Sequence, residues 1–91
     1  MTKGEYRVGI NFNPSADDMV GKIKRQVADL IDLIETIKAP PVNLDLDTGA
    51  FDRQTILRSE VGRLKALAQT HLEDAAMWAV KAATKKEPEA K

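Results

Sequence analysis

The feature that most constrains the fold of this sequence is an uninterrupted alternation of three- and four-residue apolar spacings in its first half. The apolar positions are Val20, Ile23, Val27, Leu30, Ile34 and Ile37. Such spacing is typical of a heptad seam, in which one helix presents its apolar side chains to another. The stripe is wider than one partner helix can cover, because it also includes Met19, Ala28, Ile31 and Leu33. The pattern predicts a first helix from about Ala16 to Lys38 with more than one neighbour.

A second apolar pattern predicts a longer helix from about Phe51 to Thr84. The alternation continues through Leu57, Val61, Leu64, Ala68, His71, Ala75, Trp78 and Ala82. From Leu72 to Ala83 the sequence is apolar on nearly every side of a helix, and such a helix is buried on every side. A helix of about 34 residues is roughly 50 Å long, which exceeds what one hairpin partner covers. We therefore expect further copies of the chain to cover the remainder.

The segments around these helices complete the predicted fold. Residues 39–50 contain two prolines and a glycine and are predicted to form the loop of the hairpin. Residues 1–14 are predicted to be an N-terminal arm, extended because apolar residues alternate along it, with Ser15 as the cap of the first helix. Residues 15–84 form the hairpin domain, and residues 85–91 form a disordered polar tail. The predicted class is all-α: an antiparallel helical hairpin that assembles into a compact homo-oligomer.

Composition excludes several kinds of protein. The 91 residues suffice for one domain with a modest core, and the absence of cysteine excludes disulfides. The 14 basic residues are balanced by 14 acidic ones, so we do not expect the chain to bind a nucleic acid polymer. No apolar run resembles a secretory signal or a membrane span. We expect no membrane partner and a cytoplasmic location.

Catalytic motifs are weak in this sequence. The run Asp47-Thr48-Gly49-Ala50 matches the signature of retroviral-type aspartic proteases, but those enzymes need paired loops on a strand-rich fold. In a helical context, Asp47 or Thr48 is better interpreted as a helix cap. The only histidine, His71, is predicted to be packed or hydrogen-bonded in the seam rather than to ligate a metal. Because no nucleophile, base or metal set is evident, we expect no cofactor and no enzymatic activity.

The arm and the start of the first helix hold the residues best suited to bind a small molecule. Two of the four aromatic residues, Tyr6 and Phe12, lie near two asparagines and a basic cluster formed by Lys22, Lys24 and Arg25. Aromatic rings stack on bases, amides such as that of Asn13 read base edges, and cations hold phosphates. The alternative is an apolar arm tucked over the hairpin with a solvated basic face. Composition alone favours this alternative.

Two stretches of the sequence resemble a known phage family. The first comprises Phe12-Asn13-Pro14-Ser15, Ile23-Lys24 and Leu30-Ile31-Asp32-Leu33-Ile34, and the second, more specific one is the run from Thr70 to Ala82, THLEDAAMWAVKA. Together they are similar to the phage anti-CBASS cyclic-nucleotide sponges, whose domain is shared with sponges that act against Thoeris signals. The likeness extends over most of residues 10–84.

This resemblance implies a helical homohexamer that sequesters cyclic dinucleotides and trinucleotides without cleaving them, so that the host's immune effector is not activated. In that family the ligand pockets lie between protomers, where an aromatic residue stacks on a base and a lysine lies near the phosphates. Phe12 matches the aromatic position, where tyrosine is expected, and Lys24 is the first candidate for the lysine. The further candidates for ligand contacts are Asn13, Lys22, Arg63, Thr70 and Lys81. The rival interpretation is a helical scaffold or adaptor that binds a protein partner.

Overall fold

A computed structural model describes residues 1–41, 43 and 47–89, and this part of the chain is all-helical. It contains α1 (Lys3–Val8), α2 (Asp18–Glu35) and α3 (Thr48–Ala83). Helices α2 and α3 form an antiparallel hairpin, since Lys65 on α3 reaches Ile37 just beyond the end of α2 while Val20 near its start lies beside Val80. The all-α prediction is therefore confirmed. None of the helices in the described residues combines the length with the apolar character that a membrane span requires.

The N-terminal arm is not extended, as its alternating apolar residues had predicted, but begins with the short helix α1. Thr2 and Glu5 form a reciprocal capping box, in which the Glu5 N–H donates to Thr2 Oγ1 at 3.1 Å and the Thr2 N–H to Glu5 Oε1 at 2.8 Å. Gly9 ends the helix in the left-handed conformation, with φ of 65°. These local hydrogen bonds outweigh the two-residue apolar periodicity.

Helix α2 begins at Asp18, two residues after the predicted start at Ala16, so the predicted Ser15 cap is wrong. The Asn13 side chain closes a turn by donating to the Asp17 carbonyl at 2.9 Å and accepting from the Asp17 N–H at 3.2 Å. This turn takes up Pro14 to Ala16, and Asp17 becomes the cap, accepting from the N–H groups of Met19 and Val20. The described helix ends at Glu35, short of the predicted Lys38.

The core lies on a face of α2 that is offset from the predicted seam. The most buried positions of α2 are Val20, Lys24, Ala28 and Ile31. Of the six alternating seam positions only Val20 is among them, whereas Ala28 and Ile31 belong to the residues that were predicted to widen the stripe. The offset arises because α1 packs on the Ala28 side of the helix. Leu30 and Ile37, at the predicted seam, are 42% and 50% exposed.

Helix α3 begins as the capping interpretation of the Asp47 motif predicted. The Asp47 carboxylate accepts from the Ala50 N–H at 2.9 Å, which makes Asp47 the N-cap. Most of the predicted seam of α3 faces outward in the single chain: Leu57, Leu64 and Trp78 are 46%, 51% and 63% exposed. His71 is also exposed, so its predicted packing in the seam is wrong within one chain.

The buried face of α3 is centred instead on Gln69 and Ala76. The Gln69 amide donates to the Ile31 carbonyl at 3.1 Å and to Glu35 at 2.8 Å, and its oxygen accepts from Lys3 at 3.1 Å. Because a buried amide is costly unless its hydrogen-bonding groups are satisfied, this side chain defines how the three helices meet.

The close contact of α1 with α2 requires a glycine at position 4. A Cβ at Gly4 would lie 2.1 Å from the Ala28 carbonyl oxygen, which is backbone and cannot move aside cheaply. The Gly4 N–H also donates to Asp32 at 2.7 Å. The arm is therefore docked by direct backbone approach.

The single chain is too elongated to bury its apolar surface. Its radius of gyration is 19.1 Å and its extents are 71 × 29 × 13 Å, whereas a compact domain of this length has a radius of about 12 Å. Only four apolar residues of the described chain are buried, namely Val20, Ala28, Ile31 and Ala76. A monomer with so small a core is marginal.

Two of the helical glycines, Gly4 and Gly62, provide a matched test of this packing. Gly4→Ala should destabilise the docked arm by about 1–3 kcal/mol, because the added methyl overlaps Ala28. Gly62→Ala should be neutral or stabilising by up to about 1 kcal/mol, since its Cβ would meet nothing within 4 Å. Thermal melts and amide exchange at residues 4–9 would measure both. Equal responses of the two variants would contradict the close contact.

Candidate functional site

Lys24 is a buried cation at the junction of the arm and α2. The residue is only 7% exposed, and its ammonium donates to the Gly9 carbonyl at 3.0 Å and to the Phe12 carbonyl. Helix α1 has ended by Gly9, whose carbonyl also accepts from the Phe12 N–H at 2.9 Å, so Lys24 gives this carbonyl a second donor and gives one to the Phe12 carbonyl. An ammonium has three N–H donors, and one remains for another acceptor.

Phe12 lies directly beside this cation and is open to solvent. Its ring centre is 5.4 Å from the Lys24 ammonium, which is within the range of a cation–π interaction. The residue is 72% exposed although it is one of only two phenylalanines. It therefore does not serve as a core plug of the single chain, and its face is available for stacking.

Phe12, Asn13 and Lys24 line one cavity of about 270 Å³, which we call the arm cleft. Its other walls come from the start of α2 and the end of α3, through Val20, Val80 and Thr84. The Asn13 side chain is engaged in the turn before α2, which holds the cleft's polar rim in place. An exposed ring, a buried ammonium and an apolar wall are thus brought together from three segments of the chain.

A second cavity, of about 230 Å³, adjoins the arm cleft and shares Lys24 and Val80 with it. Its charged residue from the arm is Arg7, whose guanidinium donates to Glu73 at 2.7 Å and to Thr70 at 3.3 Å. Sequence reasoning missed Arg7, because in an extended arm it would lie opposite the aromatic side chains. The capping pair Thr2 and Glu5 was the signal that could have placed it on a helix.

The remaining candidates from the sequence are dispersed. Lys22 lines a shallow surface cavity with Asn13 and Arg25, beyond the arm cleft. Arg63 forms an ion pair with Glu60 at 2.5 Å near the middle of α3.

The last two candidates also lie on α3. Thr70 accepts a hydrogen bond from Arg7, while the Lys81 ammonium lies 5.5 Å from the Trp78 ring centre. Within one chain, Phe12, Asn13 and Lys24 are brought together, and none of the other four candidates lines the arm cleft.

Two observations concern the metal and protease motifs that the sequence suggested. Among the described residues, no group of three or more histidine, aspartate or glutamate side chains could hold a metal ion. Asp47 is occupied as a helix cap and lies on a helical rather than a strand-rich framework, so the protease motif has no structural support.

Ion pairs attach the arm that carries Phe12. Arg25 donates to Glu5 at 2.8 Å, and this guanidinium, together with the Thr2 backbone N–H, holds the pKa of Glu5 at about 2. Gln69 and then Lys3 lower the pKa of Glu35 to about 2 in the same way. The carboxylates that hold the arm, Glu5 on the arm and Glu35 on α2, are therefore ionised when it docks.

These features define a class: a helical-hairpin protein whose N-terminal arm forms a cation-lined cleft with the end of its long helix. The family model that matches the chain is the Acb2/Tad1 hairpin domain, over residues 5–84. The chain therefore belongs to the Acb2/Tad1 hairpin family, which comprises anti-CBASS and anti-Thoeris sponges. No curated protein and no solved structure matches it.

The Glu5–Arg25 pair predicts a measurable pH dependence. The unfolded-state pKa of glutamate is about 4.3, and a folded value near 2 means that ionised Glu5 stabilises the docked arm above that range. The contribution decreases as the pH falls below about 4 and is lost near 2. Arg25→Gln should move the Glu5 titration, followed by NMR of its carboxyl carbon, back toward the ordinary value.

The matched control is Arg53→Gln, which removes an exposed arginine from the start of α3, remote from the arm. It should leave the Glu5 titration unchanged. A parent Glu5 that titrates near 4.3 would show that the ion pair does not persist in solution.

Proposed function

We propose that this protein is a phage anti-defence sponge that binds cyclic dinucleotides and cyclic trinucleotides and holds them without cleaving them. The ligands would be the immune signals of the infected bacterium, and their removal in the host cytoplasm would prevent activation of the CBASS effector. Membership of the sponge family supports the general role. The observation that carries the ligand assignment is the exposed Phe12 ring beside the buried Lys24 ammonium.

The chemistry of the arm cleft suits a nucleotide. A base stacked on the Phe12 ring would gain an aromatic contact, and its phosphate would face a cation that is already desolvated. Lys24 has two acceptors in the backbone and retains one N–H for a phosphate oxygen. Lys24 is thus proposed both to position the arm and to contact the ligand.

The cleft of one chain is open, and we propose that it is completed by a second chain in a homo-oligomer, with six chains as the expected number. The support is the outward apolar face of α3, where Ile56, Leu64, Met77 and Trp78 are all more than half exposed. Contiguous exposed apolar surface on a small protein marks an interaction site. Neither turnover nor a resident cofactor is part of this proposal.

The direct test is calorimetric titration with a panel of cyclic di- and trinucleotides, followed by denaturation and recovery of the ligand. We expect binding of at least one ligand and its return intact. Phe12→Ala should weaken that binding by roughly 5- to 150-fold, the equivalent of about 1–3 kcal/mol for a lost base stack. Phe12→Tyr should bind as well as the parent, because the ring and not its substituent makes the stack.

The thermal melts of the same variants separate a binding role from a packing role. Phe12→Ala should leave the melting temperature without ligand close to that of the parent, since the ring is exposed. Lys24→Ala should lower it, because the Gly9 and Phe12 carbonyls lose a donor, and should weaken binding as well. A linear product after incubation would make the protein an enzyme and refute the sponge proposal.

The oligomer is tested at Trp78, which is 63% exposed in the single chain. If a partner chain covers it, Trp78→Asp should dissociate the assembly, since an unpaired buried charge costs several kcal/mol. Because Trp78 is outside the chain's own core, any fall in helix content measured by circular dichroism should accompany dissociation, as expected for a marginally stable monomer. Lys86→Asp, at an exposed position of the polar tail beyond α3, is the control and should leave the light-scattering mass unchanged. A monomeric parent would refute the assembly.

The second candidate function is a protein adaptor, and the same exposed face of α3 favours it. An adaptor would use this face for another protein and would ignore cyclic nucleotides. A parent whose melting temperature responds to no cyclic nucleotide, while it remains an oligomer, would support the adaptor over the sponge.

A further inference from the structure

A cavity of about 300 Å³ lies near the hairpin loop, between the end of α2 and the middle of α3. It is separate from the arm cleft and shares none of its residues. Its polar lining consists of Lys38, Arg58 and Lys65, together with the open backbone at Gly62. We call it the basic groove.

The charges of the basic groove are unbalanced, although the whole chain is neutral. Among the described residues that line it, three are cationic and none is acidic. Elsewhere in the described chain Arg7, Arg25 and Arg63 each form an ion pair with a glutamate. Arg58 and Lys38, by contrast, have no ion pair or side-chain hydrogen bond within the residues that the structure describes. An unpaired guanidinium keeps its full set of donors for a ligand.

Lys65 is fixed in place by backbone oxygens. Its ammonium donates to the Glu35 carbonyl at 3.0 Å and to the Ile37 carbonyl at 2.5 Å, where it satisfies the C-terminal end of α2. Two of its N–H groups are thereby used, and one is left over. This cation is therefore positioned in advance at the wall of the groove.

Gly62 leaves the floor of the groove open. Glycine in a helix interior costs about 1 kcal/mol relative to alanine, so its presence calls for a reason. Within the described chain no close packing supplies one, because a Cβ at Gly62 would meet nothing within 4 Å. What the missing side chain does provide is space beside Arg58 and Lys65.

We propose that the basic groove binds a small anion that carries at least two phosphate groups, at a site independent of the arm cleft. Arginine binds phosphate through two parallel N–H donors, and the two lysines supply point charges on either side. The apolar walls at Ile37 and Val61 limit competition from water. Because the proposal rests on contacts outside the arm, it stands or falls separately from the sponge function.

The test uses inorganic pyrophosphate and the full chain, followed by NMR of backbone amides. Pyrophosphate should shift the amides of residues 61–65 in a saturable manner, whereas sulfate at equal ionic strength should not. Arg58→Gln should weaken the response about tenfold, as expected for one charge-assisted contact. Arg53→Gln, another α3 arginine outside the groove, is the matched control and should respond as the parent does.

A second variant tests whether the open floor of the groove is needed, rather than its positive charge. Gly62→Leu keeps all three cations but fills the floor, so it should abolish the pyrophosphate response while the helix remains folded. No saturable shift in the parent, or an equal response to sulfate, would overturn the proposal. A third result would also overturn the proposal: Gly62→Leu dissociates the oligomer while Arg58→Gln binds pyrophosphate as the parent does. The groove would then be a contact between chains.

Discussion

The buried ammonium of Lys24 is the interaction on which the arrangement of the arm depends. It binds two carbonyls, of Gly9 and Phe12, at the point where α1 has ended and the backbone needs donors. Without it the Phe12 carbonyl would lose this donor, and the Gly9 carbonyl would keep only the Phe12 N–H. By holding the turn, Lys24 also places the Phe12 ring next to itself and forms one wall common to two cavities. One side chain thus links the fold of the arm to the proposed binding site.

Around this junction, polar contacts stabilise the packing of the arm, because the apolar core of the single chain is small. The arm is attached by the ion pairs of Lys3, Arg7 and Arg25 and by the backbone contact of Gly4 with Ala28. Exposed or half-exposed ion pairs contribute little individually, so the arm should be the part of the chain that opens most readily. An arm of low local stability is suited to a cleft that must admit a ligand.

The long helix α3 has two apolar faces, and one chain uses only one of them. The face with Gln69 and Ala76 meets α1 and α2, while the face with Leu57, Leu64 and Trp78 is left to solvent. This division explains why the all-round apolar pattern was the informative feature of the second half of the sequence. It also explains why the heptad alternation of α3 did not identify the core within one chain, because most of its positions in α3 lie on the outward face.

From the sequence alone, the helical hairpin and a cap at Asp47 or Thr48 could be predicted, because helical periodicity and capping chemistry are local properties. The choice of Phe12 and Lys24 from the residues of the arm and first helix came from the resemblance to the sponge family. The tertiary structure decided what local pattern could not. The helical arm does not belong to that group, because its capping pair, Thr2 and Glu5, is a local signal whose hydrogen bonds outweigh apolar alternation. The use of the Lys24 ammonium, the offset of the core toward Ala28 and the approach of Arg7 to Glu73 all depend on where α1 docks. That docking is set by the distance between two backbones, which no spacing of side chains along one chain encodes.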